Sequence, residues 1–349
     1  MPESFLKPAL AGFESYVPGE QPGDGEGWIK LNTNESPLPP SPKVIEALRE
    51  AAADSLRLYP SPTAAPAREA IARRFDLAPQ QVVLGNGADE LIELCFRAFA
   101  GKGDRVAYPT PTYPVLQTLC RIHEVTASEH PTEAWEELPP SLAGDPARLK
   151  FVVNPNSPTG AYFGRPAIEA VVAAAQGVAV IDEAYVDFAP DSCLSLLSRY
   201  DHLLILRTMS KSYGLAGMRI GFALGSPALI AALDAVRDSY NLDRLAIAAA
   251  QAAVEDDAHH QAIIEAVIEG RDQLIHGFLE MKIEFVRPSG NFVFCRPPLP
   301  AAGVAEALRE RKILVRHYHR EPIADWLRIT VGTRSQNERL LAALKEILS

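Results

Sequence analysis

The sequence predicts an α/β fold: a large unit with a mostly parallel sheet sandwiched by helices, followed by a smaller α+β unit. Three observations carry this reading. Short, nearly continuous apolar runs alternate with helix-periodic stretches through the first 250 residues, as expected of parallel strands buried on both faces. Beyond residue 250 the alternation gives way to strand pairs separated by single helices. The chain has 349 residues, 47% hydrophobic and 22% charged, enough for about two domains with cores of their own.

The elements follow in order. Residues 1–40 are rich in Pro and Gly and read as an N-terminal arm, not a core element. Residues 41–250 form the large unit. It opens with SPKVIEALREAAADS, a helix with a serine cap and proline at its first position. QQVVLGNG reads as a strand entering a turn, and ADELIELCFRAFA as an amphipathic helix. DRVAYP, LKFVVNP, GVAVIDEAY and HLLILRT read as strands, separated by helices such as RPAIEAVVAAAQ. Residues 251–349 form the small unit. A long helix (DAHHQAIIEAVIEGRDQLIHGFLEM) leads to the strands KIEFVRP and NFVFCRP, the helix GVAEALRERK and the strands ILVRHY and WLRITVG. The closing helix, TRSQNERLLAALKEILS, carries a capping box of Ser335 and Glu338.

Composition excludes several classes of function. A net charge of -10 with no basic run argues against nucleic acid as a partner. No apolar run is long enough to cross a bilayer, and the start lacks the pattern of a signal peptide. Cys95, Cys120, Cys193 and Cys295 are scattered with no CxxC pair, which suits buried thiols in a reducing cytoplasm. His317 and His319 share a strand face but have no third ligand nearby, so no metal is expected.

In open parallel sheets, ligands sit outside the carboxyl ends of the strands. Those ends are Gly85–Asp89, Asn154–Gly160, Asp182–Tyr185 and Thr208–Lys211, each rich in polar groups. LGNGADE offers backbone N–H groups at a helix start, suited to a phosphate or simply to a tight turn. The dinucleotide fingerprint fails, because Glu90 stands where its third glycine belongs. Asp182 ends an apolar strand and needs a cation or hydrogen bonds, either as an exposed cap or facing a protonated ring nitrogen. Tyr113, between prolines, serves as packing or as a ring that stacks on a planar group. Lys211 lies among small residues in TMSKSYGLAGMRIGF, eight residues before Arg219. It is a solvated loop lysine or an activated amine. One assembly uses all these pieces: an amine for an aldehyde, a carboxylate for a pyridinium, an aromatic cover and a phosphate cradle, which together make a pyridoxal phosphate site.

With these residues in place, the chain resembles the fold-type I pyridoxal phosphate aminotransferases, and within them the histidinol-phosphate aminotransferases. LNTNESP, RLYPSP, GNGADELIE, PTPTYP, NPNSPTG, DEAYVDF, TMSKSYGLAGMRIG, SGNFVF, ILVRHY and LRITVGT carry the resemblance in order over residues 31–333. It implies that Lys211 is the Schiff-base lysine and proton shuttle, that Asp182 pairs with the ring nitrogen and that Tyr185 touches the ring hydroxyl. Tyr113 is to stack on the ring. The backbone of Ala88 and Asp89, with Thr208, Ser210 and Arg219, is to hold the cofactor phosphate. Tyr59 is to reach the phosphate of the other subunit, which implies a homodimer with shared sites. Arg328 is the expected anion-binding residue for substrate, with Arg316, Tyr16 and Asn34 as companions. The implied reaction is transamination of L-histidinol phosphate with 2-oxoglutarate in histidine biosynthesis.

Two places depart from the family pattern. Ser157 stands where an asparagine usually precedes PTG, so either Asn156 or Asn154 takes over at the ring hydroxyl or the contact there is weaker. DSYNLDRLA adds the charges of Asp238 and Arg244 near the expected substrate entrance. The alternative activities are those of an aromatic-amino-acid aminotransferase or a threonine-phosphate decarboxylase of the same fold. A regulator of aminotransferase fold would need a DNA-binding module, for which the arm is too short and the charge too acidic.

Overall fold

A computed structural model describes residues 5, 7–10, 12, 19–23 and 27–349. Tyr16, expected near the substrate, lies outside the described residues. Two sheets organise the chain. The larger contains β2 (Val82–Asn86), β3 (Arg105–Thr110), β4 (Thr126–Pro131), β5 (Leu149–Val153), β6 (Val178–Asp182), β7 (Leu203–Thr208) and β8 (Ile220–Gly225). The smaller contains β1 (Ile29–Leu31), β9 (Glu284–Phe285), β10 (Phe292–Arg296), β11 (Ile313–His317) and β12 (Leu327–Thr330).

The large sheet has the order β2-β8-β7-β6-β5-β3-β4. All neighbours from β7 to β4 are parallel, and β8 runs antiparallel to both β2 and β7. The carboxyl ends of β2, β5, β6 and β7 therefore share one edge, and the reversed β8 begins there, bringing Arg219 to the same place. Alternation along the strands splits the apolar side chains between two layers. Ile181, Leu203 and Ile205 pack in one buried cluster; Val180, Leu204 and Leu206 pack in the other. Both faces are covered, so these strands read as unbroken apolar runs.

The small sheet has the order β1-β11-β12-β10-β9. Its strands are antiparallel except that β1 pairs parallel with β11, Ile29 opposite Ile313. This corrects the reading of residues 1–40 as lacking a core element. Ile29 and Leu31 are buried in the same cluster as Phe292, Ile313 and Ile329. Such a three-residue strand has no periodic signature, because its ladder comes from a segment far along the chain. β4 was also unread, since TASEHP is a polar edge strand.

Local signals account for several boundaries. Ser41 caps the helix Pro42–Ala51, its Oγ accepting from the Lys43 N–H at 3.0 Å. The final helix, Arg334–Leu348, begins earlier than its expected capping box. Thr333 is its N-cap: Thr333 Oγ1 accepts from Gln336 N–H at 3.3 Å, and Gln336 Oε1 accepts from Thr333 N–H at 2.9 Å. Ser335 and Glu338 lie inside the helix, where Glu338 pairs with Arg334 at 3.2 Å. Among the described residues no helix is long and apolar enough to cross a membrane. All four cysteines are buried and unpaired.

Candidate active site

A cavity of about 400 Å³ opens where the carboxyl edge of the large sheet faces β11 and β12. Asp182, Tyr185, Lys211, Arg219, Arg316 and Arg328 line it. Ala88, Asp89, Tyr113, Thr208, Ser210 and Asn34 complete the set of expected residues found in its wall.

Lys211 begins a tight turn after β7. Gly214 N–H donates to the Lys211 carbonyl at 3.2 Å, and Gly214 sits at φ +67°. A side chain at Gly214 would press on the backbone of Leu38 and Pro40. Small residues here thus let the lysine-bearing turn lie against the Asn34–Pro40 segment. Lys211 Nζ stands 5.6 Å from the Tyr185 ring centroid. Tyr185 OH accepts from Asn34 Nδ2 at 3.1 Å, and Thr330 Oγ1 donates to Asn34 Oδ1 at 3.1 Å, so β12 fixes the phenol through Asn34.

Asp182 is the last residue of β6 and is buried. Burial pushes its carboxyl up to about 7; the Ala184 N–H, donating to Oδ1 at 3.0 Å, opposes this, Asp89 and Glu183 reinforce it, and the Lys211 charge opposes it. An ionised Asp182 is therefore short of positive charge in the bare site.

At one end of the cavity the helix Gly87–Phe99 points its N-terminus inward, with no side chain capping it. Arg219 Nη2 lies 3.3 Å from Asp89 Oδ2, and Tyr113 OH donates to Asp89 Oδ1 at 3.0 Å. Ser210 N–H donates to Thr208 Oγ1 at 3.1 Å, which places both hydroxyls together. Backbones approach closely here. Gly87 has φ +81°, and a Cβ on it would lie 2.6 Å from Arg219 Nη2; one on Gly221 would lie 2.6 Å from Ala88 N. Glu90 explains the missing third glycine: its carboxylate accepts from the Asn86 N–H and from Asn241 Nδ2, closing the strand–helix turn.

At the other end, Arg316 and Arg328 are directly opposite in the β11–β12 register. Arg328 Nη2 donates to the Asn32 carbonyl at 2.9 Å and Nη1 to Ser157 Oγ at 3.4 Å, while its buried Nε has no hydrogen-bond partner. Two like charges in register are unfavourable alone and suit an anionic ligand.

Some expected residues lie elsewhere. Asn156 is behind the wall: Thr112 Oγ1 donates to its Oδ1, and its Nδ2 donates to Pro111 O and Thr159 Oγ1, each at 2.9 Å. Asn154 is committed to both backbone groups of Phe163. Neither lines the cavity; Ser157 is the residue of that loop that does. Tyr59 lies on the exposed surface, stacked on Tyr240 at 4.5 Å, with its carbonyl accepting from Arg244 Nη2 at 3.1 Å. Tyr240 and Arg244 of DSYNLDRLA thus border Tyr59, and no residue of that segment lines the cavity. Sequence reasoning passed over Asn32, Thr33 and Glu35 as lining residues, although LNTNESP drew attention to the segment. His317 and His319 do meet, with ring centroids 4.4 Å apart, but His317 Nε2 is 2.7 Å from the Ala324 carbonyl. No group of three His, Cys, Asp or Glu suited to a metal occurs among the described residues.

A mostly parallel sheet with a lysine, a buried carboxylate and an arginine at its carboxyl edge, facing two arginines of the small sheet, defines a class of enzyme, and the sequence agrees. The family profile described as aminotransferase class I and II matches residues 26–344, and the chain belongs to that family. Among its curated relatives, the histidinol-phosphate aminotransferase of Geotalea uraniireducens is 42% identical over 348 residues, covering 98% of this chain and 99% of the relative. Histidinol-phosphate aminotransferase 1 of Bradyrhizobium diazoefficiens is 42% identical over 349 residues, covering 99% of each. Among solved structures, the histidinol-phosphate aminotransferase of Sinorhizobium meliloti in complex with pyridoxal-5'-phosphate superposes with a TM-score of 0.89 at 25% identity, covering 99% of this chain and 98% of that one.

Proposed function

We propose that this enzyme transfers the amino group of L-histidinol phosphate to 2-oxoglutarate, giving imidazole acetol phosphate and glutamate in histidine biosynthesis, with pyridoxal 5'-phosphate as cofactor. The observation that carries the substrate reading is the pair Arg316 and Arg328, in register across from Lys211 and Asp182. A phosphate ester and a dicarboxylate both present an anion that such a pair can hold.

The residues present fit the cofactor. Gly87 and Gly221 clear a cradle that a Cβ would fill, beside an uncapped helix N-terminus, two hydroxyls and Arg219. Asp182, buried and short of positive charge, suits a cationic ring nitrogen. When bound, pyridoxal phosphate supplies an aldehyde for the amine and a ring that takes up the electron pair from the substrate α-carbon. Lys211 Nζ takes the proton from that carbon. Asp182 holds the proton on the ring nitrogen. Tyr185, fixed by Asn34, would present its hydroxyl to the ring, and Tyr113 would cover the ring face. Arg328 and Arg316 orient the substrate anion so that the α-carbon meets Lys211.

The same proposal includes a cytoplasmic homodimer. Leu56, Leu58, Tyr59 and Tyr240 form an exposed apolar patch of the kind that marks an interface, and Tyr59 would act in the partner's site. The division at residues 40 and 250 into arm, large unit and small unit belongs to this proposal too.

Steady-state kinetics with histidinol phosphate, histidinol, phenylalanine and threonine phosphate test the substrate. A kcat/KM for histidinol phosphate at least ~100-fold above that for histidinol is expected from one doubly held anion, and the assignment expects it to exceed those for phenylalanine and threonine phosphate as well. A preference for phenylalanine, or carbon dioxide released from threonine phosphate, would overturn the assignment.

A further inference from the structure

Behind the cavity wall lies a buried polar cluster that touches neither the proposed substrate nor the cofactor cradle. Arg207, on β7, donates from Nε and Nη2 to Glu183 Oε2 at 3.1 and 2.8 Å, and from Nη1 to Asp187 Oδ1 at 3.1 Å. Ser192 Oγ and the Cys193 N–H also donate to Glu183. Asp187 Oδ2 accepts from Ser212 Oγ at 2.5 Å and faces His260 Nε2 at 3.4 Å. The His260 ring, on the helix Asp257–Glu280, stacks on Tyr213 with centroids 3.9 Å apart and planes 5° apart.

The connectivity singles this cluster out. Glu183 follows Asp182; Ser212 and Tyr213 follow Lys211. One guanidinium bridges the carboxylate next to Asp182 to the carboxylate that grips the residue next to Lys211. Burial pushes the Asp187 carboxyl up, but His260, Arg207 and Ser212 outweigh it and hold it at about 2, so the anion persists across the working range. Buried ionic networks such as the one that joins Arg207 to Glu183 and Asp187 favour one geometry, because a rearrangement strands a charge.

We infer that the Glu183–Arg207–Asp187–Ser212 chain is a positioning clamp that fixes Lys211 relative to Asp182, with His260 tying it to the long helix that leads to the small sheet. Its members are positioning residues and act only through their neighbours. Misplacing a reacting group by about 1 Å costs on the order of 100-fold in rate. A loosened clamp should therefore lower kcat while leaving substrate affinity, set by the arginines, in place.

Ser212→Ala in the full-length, cofactor-loaded enzyme tests this. Single-turnover rates should fall ~10- to 100-fold, with KM for both substrates changed less than about two-fold. The pH midpoint of the bound cofactor's visible absorbance, without substrate, should move, since Lys211 and Asp182 no longer keep their relation. Ser212→Thr, which keeps a hydroxyl to donate to Asp187, should retain more of the rate than Ser212→Ala. The clamp is rejected if Ser212→Ala keeps the wild-type rate and midpoint, or if its rate falls only in step with a lowered Tm while the midpoint stays. The inference rests on Lys211 and Asp182 as the working pair. A wild-type enzyme that turned over no amino donor would reject that reading itself; an active wild type with an unaffected Ser212→Ala rejects the clamp alone.

Discussion

Replacing Asp182 with asparagine in the cofactor-free protein should stabilise it, increasingly so as pH rises. The carboxyl is carried from its ordinary 3.8 up to about 7 by burial beside Asp89 and Glu183. Its folded pKa therefore exceeds its unfolded one, and between these values the folded state binds the extra proton. Stability from this group is present below about pH 4 and is lost as pH rises through 7. At about 1.4 kcal/mol per pH unit, the ionised carboxylate costs on the order of 4 kcal/mol at pH 8 and under half that at pH 5. Asparagine keeps the oxygen that accepts from Ala184 N–H and carries no charge. Asp187, held at about 2, changes the balance only below about pH 4 and stays outside this window. The advantage of Asp182→Asn over wild type should grow by about 2–3 kcal/mol from pH 5 to pH 8, roughly 3–4 °C in Tm for a chain of this size. Thermal unfolding of both proteins at several pH values, after cofactor removal, measures it. Parallel pH profiles would refute the argument that Asp182 is a buried anion awaiting a cation. With cofactor bound the order should reverse, and Asp182→Asn should be far less active.

Arg328→Ala should raise KM for both the amino donor and the oxo acid ~10- to 100-fold, because one guanidinium serves both anions; steady-state kinetics with each substrate varied would show it, and normal values for both would remove Arg328 from the site. Gly87→Ala should weaken cofactor binding and lower Tm, since it forces φ +81° on alanine and drives a methyl to within 2.6 Å of Arg219 Nη2; cofactor titration and thermal unfolding check both effects.

The large sheet was legible because burial on both faces writes itself as apolar runs, and because polar residues cluster where those runs stop. Lys211 and Asp182 were marked by that contrast, and Arg219 by its place eight residues beyond Lys211. β1 was not, since its three residues gain their ladder from β11 and carry no periodicity of their own. The placing of Asn156 was equally hidden: two asparagines and a serine precede PTG, and only the folded loop decides which side chain is spent on Pro111 and Thr159. The clamp needed the fold most of all. Glu183 and Asp187 look like ordinary loop acids until Arg207 and His260 arrive from other elements.

Mixing the cofactor-loaded protein with histidinol phosphate alone, without any oxo acid, tests the central claim most directly. The visible absorbance of the bound cofactor should disappear in one fast phase, yielding one keto product per site. Lys211→Ala, loaded with the same cofactor, should yield none on that timescale. Equal rates in the two proteins, or carbon dioxide in place of the keto product, would contradict the account.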